Sequence, residues 1–198
     1  MEPDFWHQRW QRGEIGWHRE EPNLHLQEHW PRLGISAGER VFVPLCGKSR
    51  DLYWLQQSGY HVIGVEFSEV AVKQFFAEQQ LAYSKHHREH NVIYRAERLE
   101  ILQADFFELQ ADDIGDITDI FDRASLIAYP AEMRRSYVNK ITGLQKPGTR
   151  TLLITLTYPE HEMKGPPFSV NDDEVIRLYN DNFRIDKLAV KKIIENET

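Results

Sequence analysis

The sequence has almost no cysteine, and this absence excludes two common ways of stabilising a small protein. Cys46 is the only cysteine among 198 residues. An intrachain disulfide and a metal site built from several thiolates are therefore excluded. A lone cysteine could serve as a nucleophile, but no base stands near Cys46 in sequence register, so packing is the favoured interpretation.

Long apolar runs and excess positive charge are also missing. No apolar stretch approaches 18 residues, and the N-terminus is acidic and aromatic where a secretory signal would be basic and then apolar. The formal net charge of −7 disfavours nucleic acid and anionic lipid as partners, because both select basic surfaces. We therefore expect a single-domain, monomeric cytoplasmic enzyme that acts on a small molecule and binds neither nucleic acid nor a membrane.

An apolar strand followed by a tight loop is the most informative feature present. Val41-Phe42-Val43 leads into the loop of residues 44–49, and Glu66 follows a second apolar run 19 residues after Gly47. In nucleoside-binding α/β domains, such a loop lets the backbone approach a ligand, and the acid accepts hydrogen bonds from ribose hydroxyls. The spacing predicts a ligand that carries a ribose.

Missing glycines narrow the identity of that ligand. A phosphate-binding P-loop needs glycine five residues before Gly47, where Phe42 stands. A dinucleotide fingerprint needs three glycines, but Gly47 is alone between Pro44 and Ser58. NAD becomes a weaker candidate without being excluded, and a phosphate-free nucleoside is favoured, of which S-adenosylmethionine is the commonest on this architecture.

Hydrophobic periodicity predicts an α/β fold in which strands and helices alternate. Predicted helices cover residues 51–58, 68–80, 130–144 and 172–179, with Ser68 as an N-cap. Predicted strands cover residues 60–66, 117–123, 151–156 and 183–194, and residues 92–94 and 99–103 form a hairpin.

Three segments carry more specific expectations. We expect residues 151–156 to form a buried central strand and residues 183–194 to form the last strand. The histidine-containing segment 83–91 should be a solvated loop without metal. Asp105 follows the strand 99–103, so it should face the same edge as Glu66, near the adenine.

The first thirty residues are unusually rich in tryptophan. Four of the five tryptophans fall there: Trp6, Trp10, Trp17 and Trp30. Trp6 and Trp10 share one face of a helix that Asp4 could cap, and Pro22 with Asn23 can begin a second helix. These aromatic side chains either cover an edge of the sheet or form a lid over a planar ligand, and the two interpretations are compatible.

Taken together, these features resemble the thiopurine S-methyltransferase family of class I methyltransferases, in its bacterial type. The loop Pro44-Leu45-Cys46-Gly47-Lys48 carries most of the resemblance, because this family has it in place of the usual methyltransferase glycines. The other matching segments, in order, are Trp17-His18, residues 62–68, Asp105-Phe106-Phe107, Phe121-Asp122-Arg123 and Gly165-Pro166-Pro167-Phe168. The resemblance covers nearly the whole chain.

The resemblance implies a Rossmann-like fold with a mostly parallel central sheet, helices on both faces and a helical N-terminal lid. The lid would comprise residues 1–35 and the core residues 36–198. Because the family continues into a further C-terminal strand, the core is expected to be shortened at that side.

The resemblance also implies a cofactor, S-adenosylmethionine, whose product is S-adenosylhomocysteine, and no metal. Residues expected at the cofactor are Trp10, Leu45, Glu66 and Arg123, with Asp105 added from its position and Trp6 as a weaker candidate. Residues expected at the acceptor are Trp17, His18, Pro166 and Phe168. Arg123 is the expected catalytic residue, and the alternative for it is a salt bridge to Asp122 or a neighbouring acid. For His18 we weigh a catalytic base against an orienting role, and for residues 165–168 a pocket wall against a plain connector.

The activity implied is S-methylation of aromatic and heterocyclic thiols such as thiopurines, by in-line displacement with little acid–base chemistry. Similar bacterial proteins suggest selenium or tellurium species as alternative acceptors. A non-catalytic S-adenosylmethionine-binding module and an NAD-linked oxidoreductase are the rival classes of function.

Overall fold

A seven-stranded sheet lies at the centre of the residues that the computed structural model describes, 3–16 and 18–192. Its strands are β1 (Arg40–Val43), β2 (His61–Glu66), β3 (Ser84–His87), β4 (Val92–Ala96), β5 (Leu99–Gln103), β6 (Asp119–Arg123) and β7 (Arg150–Ile154). The helices in the same ranges are α1 (Pro3–Arg12), α2 (Leu24–His29), α3 (Arg50–Gln57), α4 (Glu69–Glu78), α5 (Ala111–Ile114), α6 (Ala131–Leu144) and α7 (Asp172–Tyr179). Short 3-10 turns occupy Trp30–Leu33 and Leu126–Ala128.

The strands are arranged in the order β3-β4-β5-β2-β1-β6-β7. β1 pairs in parallel with β2 on one side and β6 on the other, and β2 with β5 and β6 with β7 are also parallel. β4 runs antiparallel to both β3 and β5. The predicted mostly parallel α/β fold and the hairpin of β4 and β5 are confirmed. The strand order reverses at β1, because β2 lies on one side of it and β6 on the other. Such a switch point opens a crevice at the carboxyl ends of the strands.

The buried strands supply side chains to a core on each face of the sheet. Phe42 of β1 packs in one core with Tyr137 and Ile141 of α6, and Val41 packs in the other with Leu55 of α3. Because successive strand residues point to opposite faces, one apolar strand fills both cores. Each large side chain removed from water contributes about 1.5–3 kcal/mol.

Polar caps place several helix starts where the sequence predicts them. Ser68 Oγ accepts a hydrogen bond from Ala71 N–H at 3.4 Å at the start of α4. Asn23 Oδ1 accepts from His25 N–H at 2.9 Å at the start of α2. Both predicted starts are confirmed. Asp4 lies within α1 instead of capping it, because the helix already begins at Pro3.

The prediction of a buried central strand at residues 151–156 is wrong. β7 pairs with β6 alone and stands at one end of the described sheet. Of its residues only Leu152 is buried. The run of apolar and β-branched letters resembles a strand buried on both faces, but composition does not reveal how many neighbours a strand has.

The prediction of a last strand at residues 183–194 is also wrong wherever the structure describes it. Residues 183–192 form no strand, and residues 193 and 194 lie outside the described ranges. Phe183 packs on Tyr179 with ring centroids 5.2 Å apart. The following residues are almost all exposed, and Lys191 pairs with Glu28 of α2 at 2.9 Å. Apolar and polar residues alternate in this segment, but its backbone forms no hydrogen-bonded ladder with a neighbouring strand in the described ranges.

A third correction concerns the segment predicted as a solvated loop at residues 83–91. Residues Ser84–His87 form β3, an edge strand paired with β4. All four side chains are exposed, so no alternation of apolar and polar letters could signal the strand. Charged and polar side chains are common on edge strands, where they discourage pairing with other chains.

A substitution at Gly64 in β2 can test how tightly side chains pack against the sheet. A methyl group added there would lie 2.7 Å from Sγ of Cys46 and 2.8 Å from Cδ2 of Leu52. We expect Gly64→Ala to lower the free energy of unfolding by about 1–3 kcal/mol through overpacking, measured by urea denaturation. Gly143→Ala is the matched control, since this helical position has nothing within 4 Å. It should stabilise the fold by about 0.5–1 kcal/mol, and equal effects at both positions would contradict the packing described.

Candidate active site

A large cleft opens at the carboxyl ends of β1, β2, β5 and β6. Its volume is about 1990 Å³. The cleft is lined by every residue predicted to hold the cofactor, namely Trp10, Leu45, Glu66, Asp105 and Arg123, and by the weaker candidate Trp6. The structure therefore brings together side chains that stand as far apart in the sequence as α1 and the end of β6.

The loop between β1 and α3 brings backbone into this cleft. Leu45 and Gly47 have positive φ values of 45° and 54°. The first is uncommon for a residue with a side chain and marks a strained turn. Cys46 N–H donates to Val65 O at 2.9 Å, which ties the loop to β2. A methyl group at Gly47 would lie 3.2 Å from the ring of Trp10, so glycine lets α1 approach the loop.

Glu66 is a buried carboxylate at the tip of β2, with 9% of its surface exposed. Oε2 accepts a hydrogen bond from Gly47 N–H at 2.9 Å, and Oε1 accepts from Ser68 N–H at 2.7 Å. Burial raises the pKa of Glu66 to about 7, although these backbone N–H groups act in the opposite direction. A carboxylate has about four acceptor positions. Positions that the backbone N–H groups of Gly47, Phe67 and Ser68 do not use are open to hydroxyl donors in the cleft.

Asp105 and Tyr129 also line this cleft. Asp105 Oδ1 accepts a hydrogen bond from Phe107 N–H at 2.8 Å, which fixes the turn after β5. Tyr129 lines the cleft, and its pKa is raised by burial and then by the charges of Asp105, Asp122 and Glu66. Tyr129 was not predicted, although its position shortly after β6, at the carboxyl edge of the sheet, is a signal for a cleft residue.

Arg123 forms a salt bridge, which is the alternative role predicted for it. Its partner is Asp51 and not Asp122. Nε of Arg123 lies 2.7 Å from Oδ2 of Asp51. Asp122 points instead into the core, where the hydroxyl of Tyr137 donates to its Oδ2 at 2.7 Å. Burial raises the pKa of Asp122 to about 6. Asp51 was also missed, and its place in the first turn of a helix gives no hint of a partner 72 residues away.

A small cavity of about 30 Å³ adjoins the cleft and is lined by Trp10, His18, Leu45 and Arg123 among others. Burial and the nearby charge of Lys48 lower the pKa of His18. Both effects favour the neutral form of its imidazole. Lys48 itself pairs with Glu78 at 2.5 Å.

The remaining acceptor-side predictions fall in different places. Pro166 lines the cleft, but Phe168 does not; the guanidinium of Arg134 lies 5.9 Å from its ring centre. Phe168 N–H donates to Ile127 O at 2.7 Å, so the residue anchors the loop to the turn after β6. Trp17 lies outside the described residues.

Neither the lone cysteine nor the histidine-containing segment forms a reactive centre. Cys46 is buried in a hydrophobic core, and burial raises the pKa of its thiol, which disfavours the thiolate. Within residues 3–16 and 18–192, no three side chains of histidine, cysteine, aspartate or glutamate converge on a point suited to a metal ion. In the same ranges every helix is too short or too polar to cross a bilayer.

Comparison with known proteins identifies the family. The sequence profile of the family described as Thiopurine S-methyltransferase (TPMT) matches residues 1–198. The chain belongs to the thiopurine S-methyltransferase family. A relative from Marinobacter nauticus with that name is 48% identical over 188 residues, which are 95% of this chain and 86% of the relative. A protein of Yarrowia lipolytica, described as a probable thiopurine S-methyltransferase, is 44% identical over 93% of this chain and 87% of its own length.

Solved structures show the same fold at much lower sequence identity. An S-adenosylmethionine-dependent methyltransferase from Anabaena variabilis superimposes with a TM-score of 0.63 and 16% identity, covering 90% of this chain and 80% of the other. Magnesium protoporphyrin IX methyltransferase from Synechocystis, solved with bound S-adenosylmethionine, gives 0.61 and 19%, with 90% and 82% covered. The class I methyltransferase fold predicted from the sequence is confirmed.

The raised pKa of Glu66 makes the stability of this family member depend on pH. Between about pH 4.5 and pH 7 the carboxyl group is ionised in the unfolded chain and protonated in the folded one. The folded state then binds more protons, so stability falls as pH rises through this window. Above about pH 7 the contribution of Glu66 is constant.

We expect this loss to approach about 3 kcal/mol and to disappear in Glu66→Gln, which cannot ionise. The measurement is the free energy of unfolding in urea at pH 5 and pH 7.5 for both proteins. Asp122 titrates equally in both, so the difference between the two pH dependences reports Glu66. Parallel pH dependences would contradict a buried, protonated Glu66.

Proposed function

We propose that this chain transfers the methyl group of S-adenosylmethionine to the sulfur of aromatic and heterocyclic thiols, with thiopurines as the acceptors that the names of its relatives indicate. The observation that carries the proposal is the meeting of Trp10, Glu66 and Arg123 in one cleft of a chain from this family. The fold places that cleft where nucleoside ligands bind in open α/β sheets.

The chemistry of the cleft suits a nucleoside without phosphates. Glu66 keeps acceptor positions for the ribose hydroxyls beyond those used by Gly47 and Ser68. The cleft is lined by backbone and by aromatic and acidic side chains where a pyrophosphate would need a glycine-rich turn. Trp10 and Leu45 would bound the cofactor on the side of the β1 loop, and Asp105 would lie near the adenine. The bound cofactor supplies an electrophilic methyl group on a positively charged sulfur.

Methyl transfer here needs alignment more than proton transfer. The acceptor sulfur forms a bond to the methyl carbon as the bond from that carbon to the sulfonium sulfur breaks, leaving S-adenosylhomocysteine. Arg123 would stabilise the anionic form of the acceptor. His18, with its lowered pKa, would orient the acceptor as a neutral imidazole. Complete alignment can be worth about 7–11 kcal/mol.

We further propose that residues 1–35 act as a lid on a core formed by residues 36–198, in a single-domain monomer that handles only small molecules. Trp10 of α1 packs beside Gly47, which places the first helix directly over the cofactor loop. Trp17, His18 and Pro166 would border the acceptor on this side, with Phe168 holding the loop of Pro166 in place. The presence of Glu66 and Arg123 in one cleft disfavours a non-catalytic binding module, because a sensor has less need of a substrate-side cation.

Replacement of Glu66 tests the cofactor site directly. Glu66→Ala should weaken S-adenosylmethionine binding by about 1–3 kcal/mol, because it removes charge-assisted hydrogen bonds to the ribose. Isothermal titration calorimetry measures this. Glu100→Ala is the control, since Glu100 pairs with Arg95 on neighbouring strands away from the cleft. If Glu66→Ala folds and binds the cofactor as tightly as Glu100→Ala does, Glu66 is not part of the site.

An acceptor screen tests the reaction. With labelled S-adenosylmethionine, we expect methylated product from a thiopurine and from thiophenol, and less from selenite or tellurite under the same conditions. Mass spectrometry of the product locates the methyl group on sulfur. Cofactor binding without any methylated thiol would contradict the enzyme assignment, and preference for selenite or tellurite would move the acceptor to the metalloid class.

A further inference from the structure

One buried carboxylate, that of Asp51, joins three parts of the acceptor side of the cleft. Asp51 is 2% exposed and lies in the first turn of α3. Its Oδ1 accepts a hydrogen bond from Asn23 N–H at 2.7 Å. Its Oδ2 accepts from Ser49 Oγ at 2.8 Å and from Arg123 Nε at 2.7 Å. The end of the cofactor loop, the start of α2 and the end of β6 therefore meet at one side chain.

These contacts fix the guanidinium of Arg123 in one plane. Nε donates to Asp51, and Nη2 donates to Ser49 Oγ at 3.2 Å. Nη1 makes no hydrogen bond to any residue within the described ranges. Because a guanidinium is rigid and planar, holding Nε and Nη2 also sets the direction of Nη1. Arg123 lines both the large cleft and the small cavity that it shares with His18.

Asp51 also couples Arg123 to the N-terminal helices. Asp51 accepts a hydrogen bond from the backbone N–H of Asn23, and the side chain of Asn23 caps α2. The start of α2 and the guanidinium of Arg123 are therefore held by the two oxygens of one carboxylate. A rotation of this carboxylate would move both together.

We propose that Asp51 is a positioning residue for methyl transfer. It directs Nη1 of Arg123 toward the acceptor and keeps the start of α2 in register with it, and it acts through these contacts, since it lines the small cavity but not the large cleft. This inference rests on the proposed function. Arg123 can act through its direction or through its charge alone, and the two cases give opposite results when the charge of Asp51 is removed.

Asp51→Asn distinguishes the two cases, with Asp119→Asn as the matched control. Asp119 is also a buried aspartate; it starts β6, the strand that Arg123 ends, and accepts from Arg150 Nε at 2.8 Å and Nη2 at 3.3 Å. Removing its charge breaks the same kind of ion pair at the opposite edge of the sheet. The measurements are kcat and KM for the acceptor, cofactor Kd by calorimetry, and Tm.

We expect Asp51→Asn to lower kcat by about 10- to 100-fold while the cofactor Kd stays within about twofold. Asp119→Asn should lower Tm with kcat unchanged. On an Arg123→Ala background, Asp51→Asn should have no further effect on kcat, because both changes remove the same function. If Asp51→Asn does not fold, Ser49→Ala, which removes the partner of Nη2 and one hydrogen bond to Asp51 Oδ2, should still lower kcat at constant cofactor Kd.

Two results would overturn the inference. A lower KM with unchanged kcat in Asp51→Asn means that Arg123 acts by charge alone, since its partner no longer offsets that charge. An equal loss of kcat with and without Arg123 means that Asp51 acts by another route. If the wild-type protein methylates no acceptor, the proposed function is wrong. If the wild type is active and Asp51→Asn is equally active, only the inference about Asp51 is wrong.

Discussion

The buried carboxylate of Glu66 holds together the parts of the sheet edge on which the cleft depends. One oxygen binds the backbone of the loop after β1 through Gly47, and the other binds the start of α4 through Ser68. Burial disfavours the charged form of this group, and the backbone N–H donors of Gly47, Phe67 and Ser68 offset part of that cost. In the proposed complex, the hydroxyl groups of a ribose would supply further hydrogen bonds to this acid.

The acceptor side uses a second buried carboxylate with a different electrostatic outcome. Asp51 forms an ion pair with Arg123, so each buried charge has a partner of opposite sign. None of the described residues forms an ion pair with Glu66, and burial leaves its pKa raised. Both acids contact the loop of residues 44–49, and in the proposed site Glu66 receives the ribose of the cofactor whereas Asp51 holds the guanidinium of Arg123 in place. In our proposal, this contrast separates a cofactor side of the cleft from an acceptor side.

Much of this arrangement could be predicted from sequence, because local rules control it. Glu66 at a strand tip, the caps at Asn23 and Ser68, and the parallel order of β1 and β2 follow from spacing and residue type. Errors arose where neighbours decide the outcome. β3 is polar on both faces, so its pairing leaves no pattern in the letters, and β7 has apolar letters but only one partner strand. Position in a sheet is a tertiary property that periodicity does not contain.

The pairing of Arg123 shows why the acceptor side was harder to predict than the cofactor side. Its neighbour in sequence, Asp122, points to the opposite face because side chains alternate along β6. There it binds the hydroxyl of Tyr137 within the core. The acid that does meet Arg123 comes from the helix that follows the cofactor loop, brought near because β1 and β6 are adjacent and parallel. Adjacent letters suggested the wrong partner, whereas strand order, once known, makes the contact with Asp51 a consequence of the fold.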